Sequence, residues 1–264
     1  MLLHYELKIH FKDKNCALLI LDLFLFFCYT FFMENIERYK HLNSYLKNKF
    51  GERTLKICID GGFTCPNRDG TVATGGCIFC SERGSGDHIN SAFNITNQVK
   101  NYFDSYKAQR ANKFIAYFQN FTNTYAPLEE LKSKYDSALI DNRIVALAIA
   151  TRPDCITEDI AKLLKSYTNK YYVWVELGLQ TSNENTAKLI NRGYSNTTFS
   201  NAVKILNKYN IDIVTHIMIG LPNENIVDLK NTVNFINAHN IKGLKIHSCY
   251  VVKNTVLANM LTYR

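Results

Sequence analysis

Three thiols in one glycine-rich stretch have the clearest capacity for chemistry in this chain. Cys65 is followed by Cys77 and Cys80, the last two as a C-x2-C pair, within CIDGGFTCPNRDGTVATGGCIFCSERGSGD. Soft thiolates gathered on one loop select zinc or iron–sulfur chemistry over hard cations. Three of them leave one iron of a cubane [4Fe–4S] cluster without a protein ligand, and an open metal position is what a reactive centre needs. Cys58 would complete a set of four, as a closed zinc or iron–sulfur site requires. It lies inside LKICID, where strand alternation fixes its side chain, and we expect it to pack as a small hydrophobe. The rival reading is a zinc-ribbon nucleic-acid-binding protein, with all four thiols as ligands and a net charge of +8 supplying phosphate affinity. A ribbon needs no long α/β series behind it.

The rest of the chain must supply that series. Its 264 residues, 47% hydrophobic and 20% charged with 4 Pro, exclude a disordered or collagen-like chain. They suffice for one main domain with a sizeable core. The 8 Cys are unevenly spread, and clustered thiols in a large chain lacking a secretory cleavage site indicate metal binding in a reducing cytoplasm, not a disulfide framework. The basic balance favours contact with nucleotides, nucleic acid or other anions.

Residues 16–32, CALLILDLFLFFCYTFF, are apolar apart from Asp22. That run is shorter than the ~20 residues a bilayer core requires and carries a charge in mid-span. We read 1–32 as a sequence artefact or dispensable extension rather than a weak membrane anchor, and expect no stable membrane association. A helix is predicted within 33–54, closed by Gly51. From Leu55 onward, apolar β-branched runs at 55–60, 114–119, 144–151, 172–178, 211–220 and 243–252 alternate with segments of helical spacing such as ITEDIAKLLKSY. Their near-continuous hydrophobicity suits parallel strands covered on both faces. Thr157, Asn183 and Asn223 are the expected helix-start residues. Six βα units are too few for a closed eight-stranded barrel, so the predicted fold is α/β, an open partial (βα)6 TIM-type barrel over 55–264 with an N-terminal helical extension. Chemistry in such folds collects at the carboxyl edge of the sheet.

The cysteine set with Phe79, together with GFTCPNRDGT, YFQNFTNTYAP, ATRPDC, ELGLQT, INRG, HIMIGLPNE and LKIH, resembles the YhcC-like group of the radical S-adenosylmethionine (SAM) superfamily. Several of these motifs also resemble the radical SAM domain of the elongator catalytic subunit, a tRNA-modifying enzyme. The first cysteine gap is wider than the usual three residues, and the chain stops short of the helices such members carry beyond the sixth strand, so a C-terminal truncation is expected.

The resemblance implies an iron–sulfur enzyme in which Cys65, Cys77 and Cys80 hold a [4Fe–4S] cluster. Its open iron chelates the amino and carboxylate groups of SAM, and one electron releases a 5′-deoxyadenosyl radical. It implies contacts from Gln119, Thr122 and Asn123 to the methionine end, from Glu176 and Gln180 to sugar hydroxyls or an ammonium, and from Arg192 to the cofactor carboxylate. The Gly220-Leu221 turn would lie toward the adenine, with His216 a further cofactor contact from the strand before it. Each has a plainer alternative: an ion pair for Glu176, a solvated helix end for Arg192, a satisfied core residue for His216. Arg152 and Asp154 read as a structural clasp, Lys245 and His247 point to one face of the sixth strand, and Cys155 and Cys249 read as packing. The implied partners are an electron donor such as flavodoxin or ferredoxin and an unassigned substrate, with tRNA as the alternative from the elongator likeness.

Overall fold

The structure, a computed structural model, describes residues 39–84, 89 and 92–262, so the apolar extension over 1–32 lies outside the described residues. The chain divides into two units, Met1–Tyr45 and Leu46–Arg264. The helix predicted within 33–54 is observed as α1 (Leu42–Phe50), and Gly51, at φ +80°, ends it in the left-handed conformation that glycine adopts without strain.

The second unit alternates strands and helices: β1 (Thr54–Ile59), α2 (Ile95–Phe103), β2 (Lys113–Phe118), α3 (Leu128–Ala138), β3 (Ile144–Thr151), α4 (Glu158–Tyr167), β4 (Tyr172–Gln180), α5 (Glu184–Leu189), α6 (Asn196–Lys208), β5 (Asp212–Ile219), α7 (Ile226–Asn237), β6 (Gly243–Ser248) and α8 (Val256–Thr262). All six strands pair in parallel, in the order β1-β2-β3-β4-β5-β6. The sheet is an open half-barrel, as the six-unit count requires.

Each strand has two chemically distinct faces, a departure from the uniformly apolar strands expected from sequence. The outer face, with Ile57, Ile59, Phe114, Phe118, Leu147, Ile149, Val175 and Leu177, joins one core with Val99 of α2, Leu131 and Tyr135 of α3, Leu164 of α4 and Phe199 and Leu206 of α6. These residues are almost wholly removed from water, and burying each stabilises the fold by roughly 1.5–3 kcal/mol before entropy is counted. Strand alternation turns the intervening residues inward: Lys56, Tyr117, Glu176, His216 and Lys245 converge there. On β3 the inward positions alternate as Ala146, Ala148 and Ala150, small side chains that leave space inside the half-barrel.

Helix starts follow the capping rules with one correction. Thr157, Asn183 and Ser195 accept from backbone N–H groups of their first turns. Asn223 does not cap α7; it sits at φ +63° in the turn, and Asn225 forms a capping box with Asp228. Among the described residues no helix is long and apolar enough to cross a membrane.

Candidate active site

The segment after β1 folds as a compact excursion. Asp60 starts it, accepting from Gly62 N (2.9 Å) and from Asn120 Nδ2 (2.9 Å). Cys65 O accepts from Arg68 N at 2.8 Å, Gly76 N reaches Asn67 O at 2.8 Å, and Asp69 bridges Thr74. The long first gap of the cysteine set is therefore a self-bonded turn that returns the chain to Cys77. A second turn, closed by Cys80 N to Cys77 O at 3.0 Å, brings the last two thiols together. The hydrogen bond from Cys77 draws the Cys80 thiol down to about 7, helped against burial by the Arg68 guanidinium, and the same bond pushes Cys77 up.

What holds this loop is the INRG turn. Asn191 O accepts from Asn67 Nδ2 at 2.5 Å, Asn191 Nδ2 donates to Gly76 O at 2.7 Å, and Ile78 N reaches Ile190 O at 3.2 Å. Gly193 is at φ +80°, and a Cβ there would stand 2.5 Å from Asn67 Oδ1, so only glycine lets the two turns meet. From the other side Leu257 N of α8 donates to Ile78 O at 2.9 Å. Ile78 itself is buried with Ile190, Met218, Leu221 and Leu257.

Below the loop, at mid-height of the sheet, Glu176 is 2% exposed and accepts from five groups. Lys56 Nζ (2.9 Å) and Trp174 Nε1 (3.2 Å) reach Oε1, while Tyr117 Oη (2.7 Å), His216 Nε2 (2.7 Å) and Lys245 Nζ (3.1 Å) reach Oε2. An ionised carboxylate only accepts, so His216 holds a proton on Nε2. Burial opposes ionisation of Glu176, but the His216 hydrogen bond and the two lysines hold its carboxyl well below the usual range. Burial lowers His216 and Lys245 in turn.

Loop and charged layer enclose one cavity of about 400 Å³ at the carboxyl edge, within the size range of small-molecule sites. Cys65, Cys77 and Cys80 line it, as do Phe79, Gln119, Thr122, Glu176, Gln180 and His216 of the predicted cofactor set. Thr122 Oγ1 is buried with no hydrogen-bond partner. Gln180 reaches the wall through a bulge between β4 and β5, at φ +66°.

Four residues of the predicted contact set are engaged elsewhere. Asn123 is fully buried and its Nδ2 bridges Phe118 O (3.2 Å) and Ala150 O (2.7 Å), bracing strand ends outside the cavity lining. Gly220 forms the turn after β5, and Leu221 packs beneath Ile78; neither lines the cavity. Arg192 touches the cavity, but all five of its N–H donors face protein acceptors: Tyr194 O, Leu179 O, Thr181 O, Glu184 and Asn196. It is a brace with nothing left to grip a carboxylate. Glu176 lines the cavity with both carboxylate oxygens engaged by protein donors.

Cys58 lies on the inner face of β1 but outside the cavity lining, half-buried, and burial raises its thiol. The Arg152–Asp154 clasp is bidentate (2.9 and 2.7 Å) and also donates to Arg192 O at 3.0 Å. Sequence reading missed Lys56, Asn67, Arg68 and Tyr117. The signal for Lys56 and Tyr117 was there, a polar group at an inward alternate position of an apolar strand; Asn67 and Arg68 depend on the loop's path.

The chemistry of the donor set fits an iron–sulfur cluster: Cys65, Cys77 and Cys80 line one cavity, and soft thiolates are the ligands such clusters take. Among the described residues no three His, Cys, Asp or Glu side chains converge on a point that would hold one metal ion.

The model of the Radical SAM superfamily matches residues 67–236. YtqA of Bacillus subtilis (strain 168) is 43% identical over 224 residues, 83% of this chain and 69% of that one. YhcC of Escherichia coli (strain K12) is 33% identical over 214 residues, 81% and 69%. Among solved structures, the archaeal Methanocaldococcus infernus Elp3 with an N-terminal deletion superposes with a TM-score of 0.56 at 21% identity, covering 80% of this chain and 49% of its own, so this chain spans about half of it. Fold likeness alone would leave the family open; sequence identity across four fifths of the chain closes the question, and the chain belongs to the radical SAM superfamily, enzymes that use a [4Fe–4S] cluster and S-adenosylmethionine.

Proposed function

We propose that this chain is a radical SAM enzyme in which Cys65, Cys77 and Cys80 hold a [4Fe–4S] cluster, with SAM and a small substrate in the cavity beneath. The observation that supports this most strongly is the opening of three thiols from one braced loop into a single small-molecule-sized cavity at the carboxyl edge. When bound, a cluster with one open iron supplies the electron that reductively cleaves SAM to a 5′-deoxyadenosyl radical.

The chain's own residues prepare that site. The INRG turn and α8 fix the cysteine turn from two sides, so thiolate positions are set before any ligand arrives. Phe79 offers an apolar wall, and Gln119, Thr122 and Gln180 offer amide and hydroxyl groups for the polar ends of SAM. Glu176 acts as a positioning residue, locking Tyr117, His216 and Lys245 in one arrangement. The electron comes from an outside donor of the flavodoxin or ferredoxin class, and the free thiols suit a reducing cytoplasm. The sequence likeness to a tRNA uridine(34) acetyltransferase, 32% identity over 49% of this chain, supports a tRNA base as the second reading of the substrate, since a cavity of this size would take one extruded base.

Anaerobic reconstitution tests the reading. A brown protein with about four irons per chain that forms 5′-deoxyadenosine from SAM after dithionite reduction is the expected result; a colourless protein holding one zinc refutes it. A finer prediction concerns Asn67, whose Nδ2 stands 3.7 Å from Cys77 Sγ. Hydrogen bonds to cluster sulfurs stabilise the reduced, more negative state and so raise the potential. Asn67→Ala should shift the midpoint to more negative values by tens of millivolts with iron content retained, measured by spectroelectrochemical titration.

A further inference from the structure

We propose that Lys245 and His247, on the inner face of β6, receive an anionic oxygen group, a carboxylate or phosphate, carried by the substrate. The word substrate rests on the reading above; the anion site itself needs only the apoprotein.

The charged layer is unbalanced. Two ammonium groups, Lys56 and Lys245, stand against the single carboxylate of Glu176, and Glu176 is the one acidic residue of the cavity lining among the described residues. With both histidines neutral, a surplus positive charge faces partly desolvated space, a cost that an incoming anion offsets. The two lysines are not equivalent. Lys56 lies over the Tyr117 ring at 4.1 Å and does not line the cavity. Lys245 does, with its side chain 32% exposed. Its ammonium has three N–H donors; one goes to Tyr117 Oη at 2.9 Å and one to Glu176 at 3.1 Å, leaving the third.

His247 follows two residues on, so alternation puts it on the same face, with its ring 5.1 Å from that of His216. It lines the cavity, and its ring nitrogens make no hydrogen bond among the described residues. Burial, then the neighbouring His216 and Lys245, push it down to about 4, so it stands neutral in a positive surrounding with a free N–H to offer. One spare ammonium hydrogen and one spare imidazole hydrogen thus belong to two side chains that line the same cavity from one strand. In the radical SAM reading the carboxylate of SAM is engaged at the open iron, so the anion at β6 belongs to the second ligand.

The test is calorimetric titration of the full-chain apoprotein with inorganic phosphate and, separately, with acetate. Saturable binding of at least one is expected, and the tighter of the two identifies the group. Lys245→Met should weaken it about tenfold or more, the loss of one charge-assisted hydrogen bond, and Lys245→Arg should restore most of it. His247→Leu provides a second variant that leaves the Glu176 ion pairs in place. No saturable binding of either anion, or equal binding in both the Met and Leu variants, overturns the proposal. In cluster-loaded protein, anion binding that persists with SAM bound assigns the site to the substrate; competitive displacement by SAM assigns it to the cofactor and also overturns the proposal. Should the cluster fail to assemble while Lys245-dependent anion binding remains, the radical SAM reading fails and the anion site stands.

Discussion

Alanine in place of Cys65, Cys77 or Cys80 is expected to leave the protein without its cluster, iron falling from about four per chain to near zero because a cubane held by two thiolates is poorly retained. SAM cleavage should fall with it. The three substitutions are informative because the loop is held by contacts that do not involve the thiols: Asn67 to Asn191, Asn191 to Gly76, and Ile78 between Ile190 and Leu257. The apoproteins should therefore melt close to wild-type apoprotein while losing all absorbance near ~400 nm. Cys58→Ala is the control. Cys58 sits in β1, paired in register with Tyr117, outside the cavity wall that the other three share, and its loss should leave iron unchanged. Iron and sulfide quantitation after anaerobic reconstitution reads both results; a Cys58→Ala protein as empty as the others would mean a closed four-thiolate site and no open iron.

Glu176→Gln should produce the second large effect, on stability before activity. Among the described residues the carboxylate is the only negative charge paired with Lys56 and Lys245, and removing one member of a buried ion pair costs about 3–5 kcal/mol. Both lysines keep partial access to water, which places the expected loss near the lower figure, about 3 kcal/mol, or a melting temperature about 6–12 °C lower. The sign with pH follows from the carboxyl being held well below its usual range. Such a group contributes stability in full above its unfolded value of about 4.3, and the contribution is lost as pH falls through the lower folded value. The gap between wild type and Glu176→Gln should thus be widest near neutrality and close in acid. Adding Lys245→Met to Glu176→Gln removes the charge left unpaired and should recover part of the loss; a double variant no more stable than Glu176→Gln would show that the carboxylate acts by packing alone. Thermal unfolding across pH measures all three proteins.

The order of strands and helices and the chemistry of the cysteine loop were legible in the chain itself. Local effects govern both: an apolar run as short as IVALAIAT, rich in β-branched residues and set between helical segments, reads as a buried strand, and C-x2-C thiols meet in one turn whatever surrounds them. The family motifs were legible for the same reason, as short strings read in place. The roles of particular motif residues were not. Glu176 is one polar residue in an apolar strand, and sequence cannot tell a ligand-facing group from one whose valences are met by partners 40, 69 or 120 positions away; the acceptors of Arg192 lie within 13 positions, but only the path of the turn aims its guanidinium at them. Asn123 and Leu221 follow the same rule, since a strand-end brace and a packed turn residue differ from cavity walls only in direction. Tertiary structure alone decided those directions, because the closure of six strands around one interior determines which alternate side chains share it. That closure also left two lysines facing one carboxylate, a charge imbalance that no local stretch of the sequence contains.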